Sequence, residues 1–220
     1  MKMKYKVSIA PEGYLIIKYA LVFCITTFVI SKSLDYNFFN LLNLLSFSLF
    51  FVTCYFFRDP QRHIKPDNHL NLLSPADGKI ISISKCNDNE MGESIKVAIF
   101  LSFFDVHRQW VPIKSKVIKT NYNPGKFFGA FLNKASERNE QTSILFNDVN
   151  KNSFKVKQIA GFVARRIVNH MNPADNVNQG VNLGFIRFGS RVEIILPKTF
   201  KLKVKKGMRV SGCKTIIGNF

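Results

Sequence analysis

Leu183-Gly184-Phe185-Ile186-Arg187-Phe188-Gly189-Ser190-Arg191-Val192-Glu193-Ile194-Ile195-Leu196 is a β-rich run interrupted by a Gly-Ser step. β-Branched and aromatic residues dominate both flanks, Leu183 to Phe188 and Val192 to Leu196, and the run ends at Pro197, so two strands are predicted. Glycine in a strand marks a bulge or a close approach of backbone, and a serine beside it in an ordinary sheet faces water. The rest of the chain decides whether Gly189-Ser190 is more than that.

The preceding chain repeats the pattern. Ser74-Pro75-Ala76-Asp77-Gly78 reads as a turn that opens a strand over Lys79 to Ser84. Ile95 to Phe103, Val117 to Tyr122, Phe154 to Ile159 and Phe162 to Val168 are further strand candidates, with Gly, Pro and Asn punctuating the runs. Phe127 to Arg138 reads as one helix or an irregular loop. In the tail, Leu202, Val204 and Val210 alternate with lysines, giving one buried and one basic, solvated face. Many short strands with turns between them predict a mainly β domain, a sandwich or barrel-like sheet.

The front of the chain is built differently. Of 220 residues 22 are Phe, nine of them in the first 60 positions, while the Lys and Arg behind a formal net charge of +18 lie mostly outside that region. Tyr14 to Ile30 is apolar apart from Lys18 and two threonines, Ser31 to Asn37 is a polar break, and Phe38 to Phe57 is uncharged and rich in Phe and Leu. A helix rises about 1.5 Å per residue, so about 20 residues cross a hydrocarbon layer of about 30 Å. Two consecutive runs without a small-residue cleavage site predict a helical hairpin anchor over residues 1–57 rather than a signal peptide. Lys2, Lys4 and Lys6 precede the first run and Arg58 and Arg62 follow the second, which puts both ends on the cytoplasmic face of a cell membrane. Arg58 to Asp67, with two prolines, reads as the linker that begins a second domain, residues 58–220.

A basic domain on an apolar anchor suits an anionic membrane surface. Nucleic acid is the rival partner for such charge, but no helix-turn-helix, zinc-finger or stacked-aromatic RNA motif supports it. Cys24, Cys54, Cys86 and Cys213 show no metal-ligand spacing and read as reduced, structural thiols. The four histidines, His63, His69, His107 and His170, form no HExxH or HxH pair, and no Walker loop, dinucleotide fingerprint or Gly-x-Ser-x-Gly elbow occurs. Two polar residues stand out. Asp77 lies in its Pro-Ala-Asp-Gly turn, where an Asp ordinarily caps its own backbone. His107 follows an apolar strand in Phe104-Asp105-Val106-His107-Arg108, in a chain with few other proton carriers near neutral pH.

Several stretches, taken in order, resemble one family. They are Ser74-Pro75-Ala76-Asp77-Gly78-Lys79, Phe104-Asp105-Val106-His107, Asn123-Pro124-Gly125-Lys126-Phe127, Lys134-Ala135-Ser136-Glu137, Gln158-Ile159-Ala160-Gly161, Ala164-Arg165-Arg166-Ile167-Val168 and Ile186-Arg187-Phe188-Gly189-Ser190-Arg191-Val192. The chain resembles the short, pyruvoyl-dependent phosphatidylserine decarboxylases from about Phe57 to about Leu196, and the apolar front end is similar too.

The resemblance implies that the Gly189–Ser190 bond is cut by the protein itself. The Ser190 hydroxyl attacks the Gly189 carbonyl, the amide becomes an ester, and loss of the Ser190 α-proton eliminates the new Gly189 carboxylate. The remaining dehydroalanine rearranges to an imine, which takes up water and loses ammonia to become a pyruvoyl group. A large chain, 1–189, and a small chain, 190–220, result and stay together as a heterodimer. The pyruvoyl derived from Ser190, the only cofactor implied, forms a Schiff base with the serine amine of phosphatidylserine and accepts electrons as carbon dioxide leaves, giving phosphatidylethanolamine. The family's self-cleavage uses an Asp-His-Ser arrangement. Asp77 matches the acid. Longer members carry two histidines three positions apart, the second serving cleavage; His107 matches the first, and Trp110 occupies the second position, where an indole cannot act as a base. His107 is therefore the working candidate for both steps. Arg165, Arg166, Arg187 and Arg191 are suspects for the head group or, equally, solvated arginines, so no substrate-binding residue is assigned. A lipoyl-like carrier and a metallopeptidase on a related sandwich are the competing classes; the first lacks a hairpin-tip lysine context and the second a His-x-His pair.

Overall fold

A computed structural model describes residues 7–34, 37–65, 70–125, 139–161, 167–187 and 190–220. The chain divides into two compact units, Met1–Gln61 and Arg62–Phe220.

The first unit is a helical hairpin. Strand β1 (Val7–Ile9) leads through a short turn into α1 (Tyr14–Ser33), followed by α2 (Asn37–Phe56) and β2 (Arg58–Pro60). The predicted linker therefore opens with a strand: β2 pairs antiparallel with β1, Val7 opposite Pro60 and Ile9 opposite Arg58, and the Ala10 amide donates to the Phe57 carbonyl at 2.8 Å. Each helix is long and apolar enough to cross a membrane. The packing inside the hairpin runs opposite to that of a soluble helix pair. Cys24, Thr27 and Ser31 of α1 and Ser46 and Thr53 of α2 are buried, and the Thr27 and Ser46 hydroxyls meet at 2.6 Å. Leu21, Val22, Phe23, Phe28, Leu44, Leu45 and Phe51 are exposed. Small polar residues at a helix–helix seam and large apolar ones outside match a hydrocarbon environment, where close backbone approach and interhelical hydrogen bonds hold helices together.

The second unit is mainly β, as the strand periodicity predicts. Its strands are β3 (Leu72–Leu73), β4 (Gly78–Asp88), β5 (Gly92–Leu101), β6 (Arg108–Trp110), β7 (Ser115–Asn123), β8 (Gln141–Asp148) and β9 (Ser153–Ala160). There follow β10 (Ile167–Asn169), β11 (Asn176–Val177), β12 (Asn182–Ile186), β13 (Ser190–Pro197), β14 (Lys201–Leu202), β15 (Arg209–Val210) and β16 (Ile216–Asn219). An eight-stranded antiparallel sheet has the order β11-β7-β8-β9-β13-β5-β4-β15, and two three-stranded sheets have the orders β10-β12-β6 and β14-β16-β3. The second predicted strand stops at Leu101 rather than Phe103, because residues beyond it turn toward β6. Strand β8, Gln-Thr-Ser-Ile-Leu-Phe-Asn-Asp, was not expected from the sequence; its polar ends hide the alternation. The helix-or-loop segment 127–138 and the first five residues of the strand expected over 162–168 lie outside the described residues.

Side chains of the large sheet alternate between two faces. Val97, Ile99 and Leu101, Val192, Ile194 and Leu196, and Phe154 and Val156 point into one apolar core, which Leu72, Ile217, Leu183 and Ile186 of the smaller sheets complete. The other face of the central strands is charged yet buried. Arg191 bonds Glu193 at 2.6 Å, with side-chain exposures of 2% and 0%. Lys157 stands opposite Glu193 on β9, and burial pulls its ammonium below the usual lysine range while Glu193 pulls the other way. Removing one member of a buried pair strands the other's charge. Arg191→Met is expected to lower the urea-unfolding free energy by about 3 kcal/mol, toward the low end of such losses because Lys157 still faces Glu193. A midpoint within error of the unsubstituted protein would contradict this.

Candidate active site

The strands that carry the Gly-Ser step pass from one sheet to another, and so does a second pair beside them. β12 belongs to a three-stranded sheet and β13 to the large one; β6 and β5 are their respective partners. Phe185 faces Arg108, and Ser190 faces Leu101. These two pairs bracket a short stretch on each side, and His107 and Ser190 stand at its borders. The Ile186 amide also donates to the His107 carbonyl at 3.3 Å. Gly189 and Phe188 lie outside the described residues.

Ser190 begins β13, the central strand, paired with Leu101 of β5 on one side and Ala160 of β9 on the other. It is fully buried, and its Oγ has no hydrogen-bond partner among the described residues. Buried hydroxyls are nearly always bonded. Among the described residues, this hydroxyl at the head of a strand is an exception.

His107 is buried at 0% exposure, its ring tilted against Phe185 with centroids 6.4 Å apart. Its Nδ1 lies 2.9 Å from the Asp105 carbonyl. A carbonyl only accepts, so Nδ1 carries the hydrogen and Nε2 is the basic nitrogen. The turn before it is fixed by Asp105, whose Oδ2 accepts from the Ser102 amide (2.8 Å) and hydroxyl (2.7 Å) and whose Oδ1 accepts from Arg209 at 2.5 Å. Asp105 thus holds the histidine through its backbone, a role the sequence motif contained without marking.

Asp77 is placed otherwise than a self-capping turn residue. Its Oδ1 accepts from the Gly212 amide at 2.7 Å and its Oδ2 from Arg62 at 2.6 Å. Arg62 also donates to the Gly212 carbonyl at 3.0 Å and lies over the Trp110 ring, 4.8 Å from its centroid. Ser74, not Asp77, closes the turn, donating to the Ala76 carbonyl at 2.7 Å. Gly78 adopts φ +148°, and a Cβ there would meet the Phe100 carbonyl oxygen at 2.2 Å, so the turn needs glycine. Trp110 is thus part of a structural cluster with Arg62, Val106 and Cys213. Burial pushes the Cys213 thiol up to about 12, against the pull of Arg62, which keeps it an inert thiol.

Two residues that sequence reasoning left unassigned join these elements. Gln109 of β6 and Gln158 of β9 are fully buried and bonded to each other at 2.9 Å, linking the small sheet of His107 to the large sheet of Ser190. Gln158 belongs to a quoted motif, but nothing local in either glutamine's surroundings pairs it with a partner 49 positions away. Of the arginines suspected of head-group contact, Arg191 is committed to Glu193, and Arg165 and Arg166 lie outside the described residues.

A family model described as phosphatidylserine decarboxylase matches residues 47–218. The chain belongs to the phosphatidylserine decarboxylase family. A phosphatidylserine decarboxylase proenzyme of Syntrophus aciditrophicus is 40% identical over 220 residues, covering 99% of this chain and 100% of that one. That of Desulfotalea psychrophila is 43% identical over 168 residues, covering 76% and 78%, and that of Ehrlichia ruminantium 41% over 214, covering 96% and 90%. Family membership sets aside the carrier and peptidase alternatives and gives the buried hydroxyl of Ser190 a context.

Proposed function

We propose that this chain is a self-processing phosphatidylserine decarboxylase whose reactive group is made from Ser190. The observation that carries it is the fully buried Ser190 Oγ, unbonded among the described residues, at the head of the central strand of a decarboxylase-family chain.

The chain's own residues account for the cut. His107 Nε2 takes the Ser190 hydroxyl proton, and Oγ attacks the Gly189 carbonyl. The ester that forms is broken by loss of the Ser190 α-proton, which releases the Gly189 carboxylate; the dehydroalanine left behind tautomerises, takes up water and expels ammonia. The site suits the pyruvoyl group that results. Leu101 and Ala160 flank Ser190 on either side, and Oγ, which leaves with the Gly189 carboxylate, has no hydrogen bond among the described residues to give up, while the keto oxygen enters from water at the former α-carbon. When formed, this group supplies an electron-withdrawing carbonyl that condenses with the substrate amine and takes up the electrons released with carbon dioxide. His107 is the proton carrier that this chain offers the same site. Because Ser190 has no exposure in the uncut chain, the break is also what admits a lipid.

The small chain, 190–220, remains bound without a covalent link to the large chain, 1–189. β13 is hydrogen-bonded on both edges, β15 pairs with β4, and β16 pairs with β3. Val192, Ile194, Leu196, Phe200, Val210 and Ile217 are all buried, at about 1.5–3 kcal/mol for each larger side chain. The hairpin anchors the enzyme at the cytoplasmic face of the membrane, supported by its inverted packing and by the basic residues that flank both runs. Carbonate extraction with protease protection distinguishes a spanning from an embedded hairpin.

Denaturing electrophoresis with intact mass measurement tests the reading. Two chains are expected, the smaller lighter by one ammonia than a peptide starting with Ser190, together with carbon dioxide release from phosphatidylserine in detergent micelles. One uncut chain that nonetheless decarboxylates the lipid would overturn it.

A further inference from the structure

We propose that Gln158 is the residue that receives the amine of the substrate, its side-chain carbonyl accepting an N–H beside the carbonyl derived from Ser190. The inference rests on the decarboxylase reading and names a contact that reading leaves open.

The direction of the Gln158 amide follows from its neighbours. The backbone carbonyl of His107 only accepts, so the nitrogen of the Gln109 amide faces it, and these two groups are in direct hydrogen-bond contact. The oxygen of Gln109 is thereby turned to Gln158, whose Nε2 donates to it at 2.9 Å and to the Val168 carbonyl at 3.4 Å. With both donors directed there, Gln158 Oε1 is left as a buried acceptor with no partner among the described residues. An amide flip would not repair this, because it would set oxygen against the Val168 carbonyl. The arrangement also demands space. A Cβ at Gly184 would lie 2.7 Å from Gln158 Nε2 and 2.1 Å from the Val168 oxygen, so the glycine in β12 is what lets this amide lie across it.

The acceptor lies beside the reactive position. Gln158 pairs with Val192 and Ala160 with Ser190, so Gln158 is the diagonal neighbour of Ser190 on the same face of the sheet, about 7–8 Å away at Cα. A glutamine side chain covers much of that distance. The Ser190 hydroxyl and Gln158 Oε1 are both buried without a partner among the described residues, a donor and an acceptor that do not bond each other in the uncut chain. Processing removes the hydroxyl and its hydrogen. An acceptor with no donor among the described residues is then left beside a ketone, and the ligand that satisfies it is an N–H donor arriving to attack that ketone, a primary amine. Such a contact directs the nitrogen lone pair to the carbonyl carbon and leaves the remaining proton for His107. A buried acceptor aimed at the attacking nitrogen also discriminates against alcohols and tertiary amines, which cannot both present the hydrogen and form the imine-type bond.

The full-length chain tests this with Gln158→Leu and Gln158→Glu. Gln158→Leu is expected to self-cleave at close to the unsubstituted rate and yet to raise KM for phosphatidylserine, or lower kcat/KM, by about 10- to 100-fold. A second readout does not depend on turnover: the yield of small chain covalently trapped by ethanolamine and cyanoborohydride, read by intact mass, falls by a similar factor. Gln158→Glu, neutral in this buried position, keeps a carbonyl acceptor while its O–H donates to Gln109 in place of the amide, and is expected to restore most of the trapping. Thr142 stands opposite Gln158 on β8, and Thr142→Val is expected to change neither readout. Equal losses in Gln158→Leu and Gln158→Glu with slowed self-cleavage, unchanged trapping in both, or a Thr142→Val variant that copies Gln158→Leu would each overturn the inference. An unsubstituted chain that never cuts would instead remove the decarboxylase reading beneath it.

Discussion

Ser190→Ala yields one uncut chain of 220 residues that folds normally and releases no carbon dioxide from phosphatidylserine. The two halves of this expectation have separate physical causes. Without an oxygen at this position no acyl shift can start, so neither the chain break nor the reactive carbonyl forms, and activity falls to background rather than by a factor. Stability is expected to hold within about 1 kcal/mol, because the Oγ that is lost has no hydrogen-bond partner among the described residues and alanine keeps the Cβ. Electrophoresis, thermal unfolding and a carbon dioxide assay on one preparation check all three statements. A large fall in melting temperature would show that the hydroxyl has a structural task, and continued cleavage would move the cut elsewhere.

His107→Ala is expected to slow self-cleavage by about 10²- to 10⁴-fold, the usual contribution of a positioned general base. The ring's Nδ1 is committed to the Asp105 carbonyl, so the basic nitrogen is Nε2, and alanine removes it. The variant also loses a buried ring that packs on Phe185, so a comparison is needed that spares the packing. His107→Gln retains most of the volume and a group able to bond the Asp105 carbonyl but carries no base; a slowdown of the same size in both variants assigns the effect to proton transfer. Asp77→Asn separates the two members of the expected acid–base set. Asp77 is bonded to Arg62 and Gly212 in this structure, so its substitution is expected to loosen the Arg62–Trp110 cluster and lower the melting temperature. Should Asp77→Asn stop cleavage as completely as His107→Ala with no change in melting temperature, Asp77 takes part in the chemistry itself. Full cleavage by His107→Ala at the ordinary rate would take His107 out of the reaction.

The sequence by itself determined whatever depends on neighbours along the chain. Two apolar runs of helix length gave the hairpin, because a span is set by rise per residue and composition. Alternation gave β4, β5, β7, β9 and β13 to within a few residues, because facing a core every second position is a local property of strands. The Gly189-Ser190 step, read with the motifs around it, singled out the proposed nucleophile. Tertiary structure decided everything that needs two distant segments. β8 is a strand because β7 and β9 supply its hydrogen bonds on both sides, although its own polar ends hide the pattern. Asp77 looked like a turn cap and is held by Arg62 and by the amide of Gly212, 135 positions away, since a carboxylate goes to the strongest donors that packing brings to it. Gln109 and Gln158 are unremarkable in the sequence and become a linked pair only because two sheets close over them, where a buried amide must be satisfied or be left with an atom to offer a ligand.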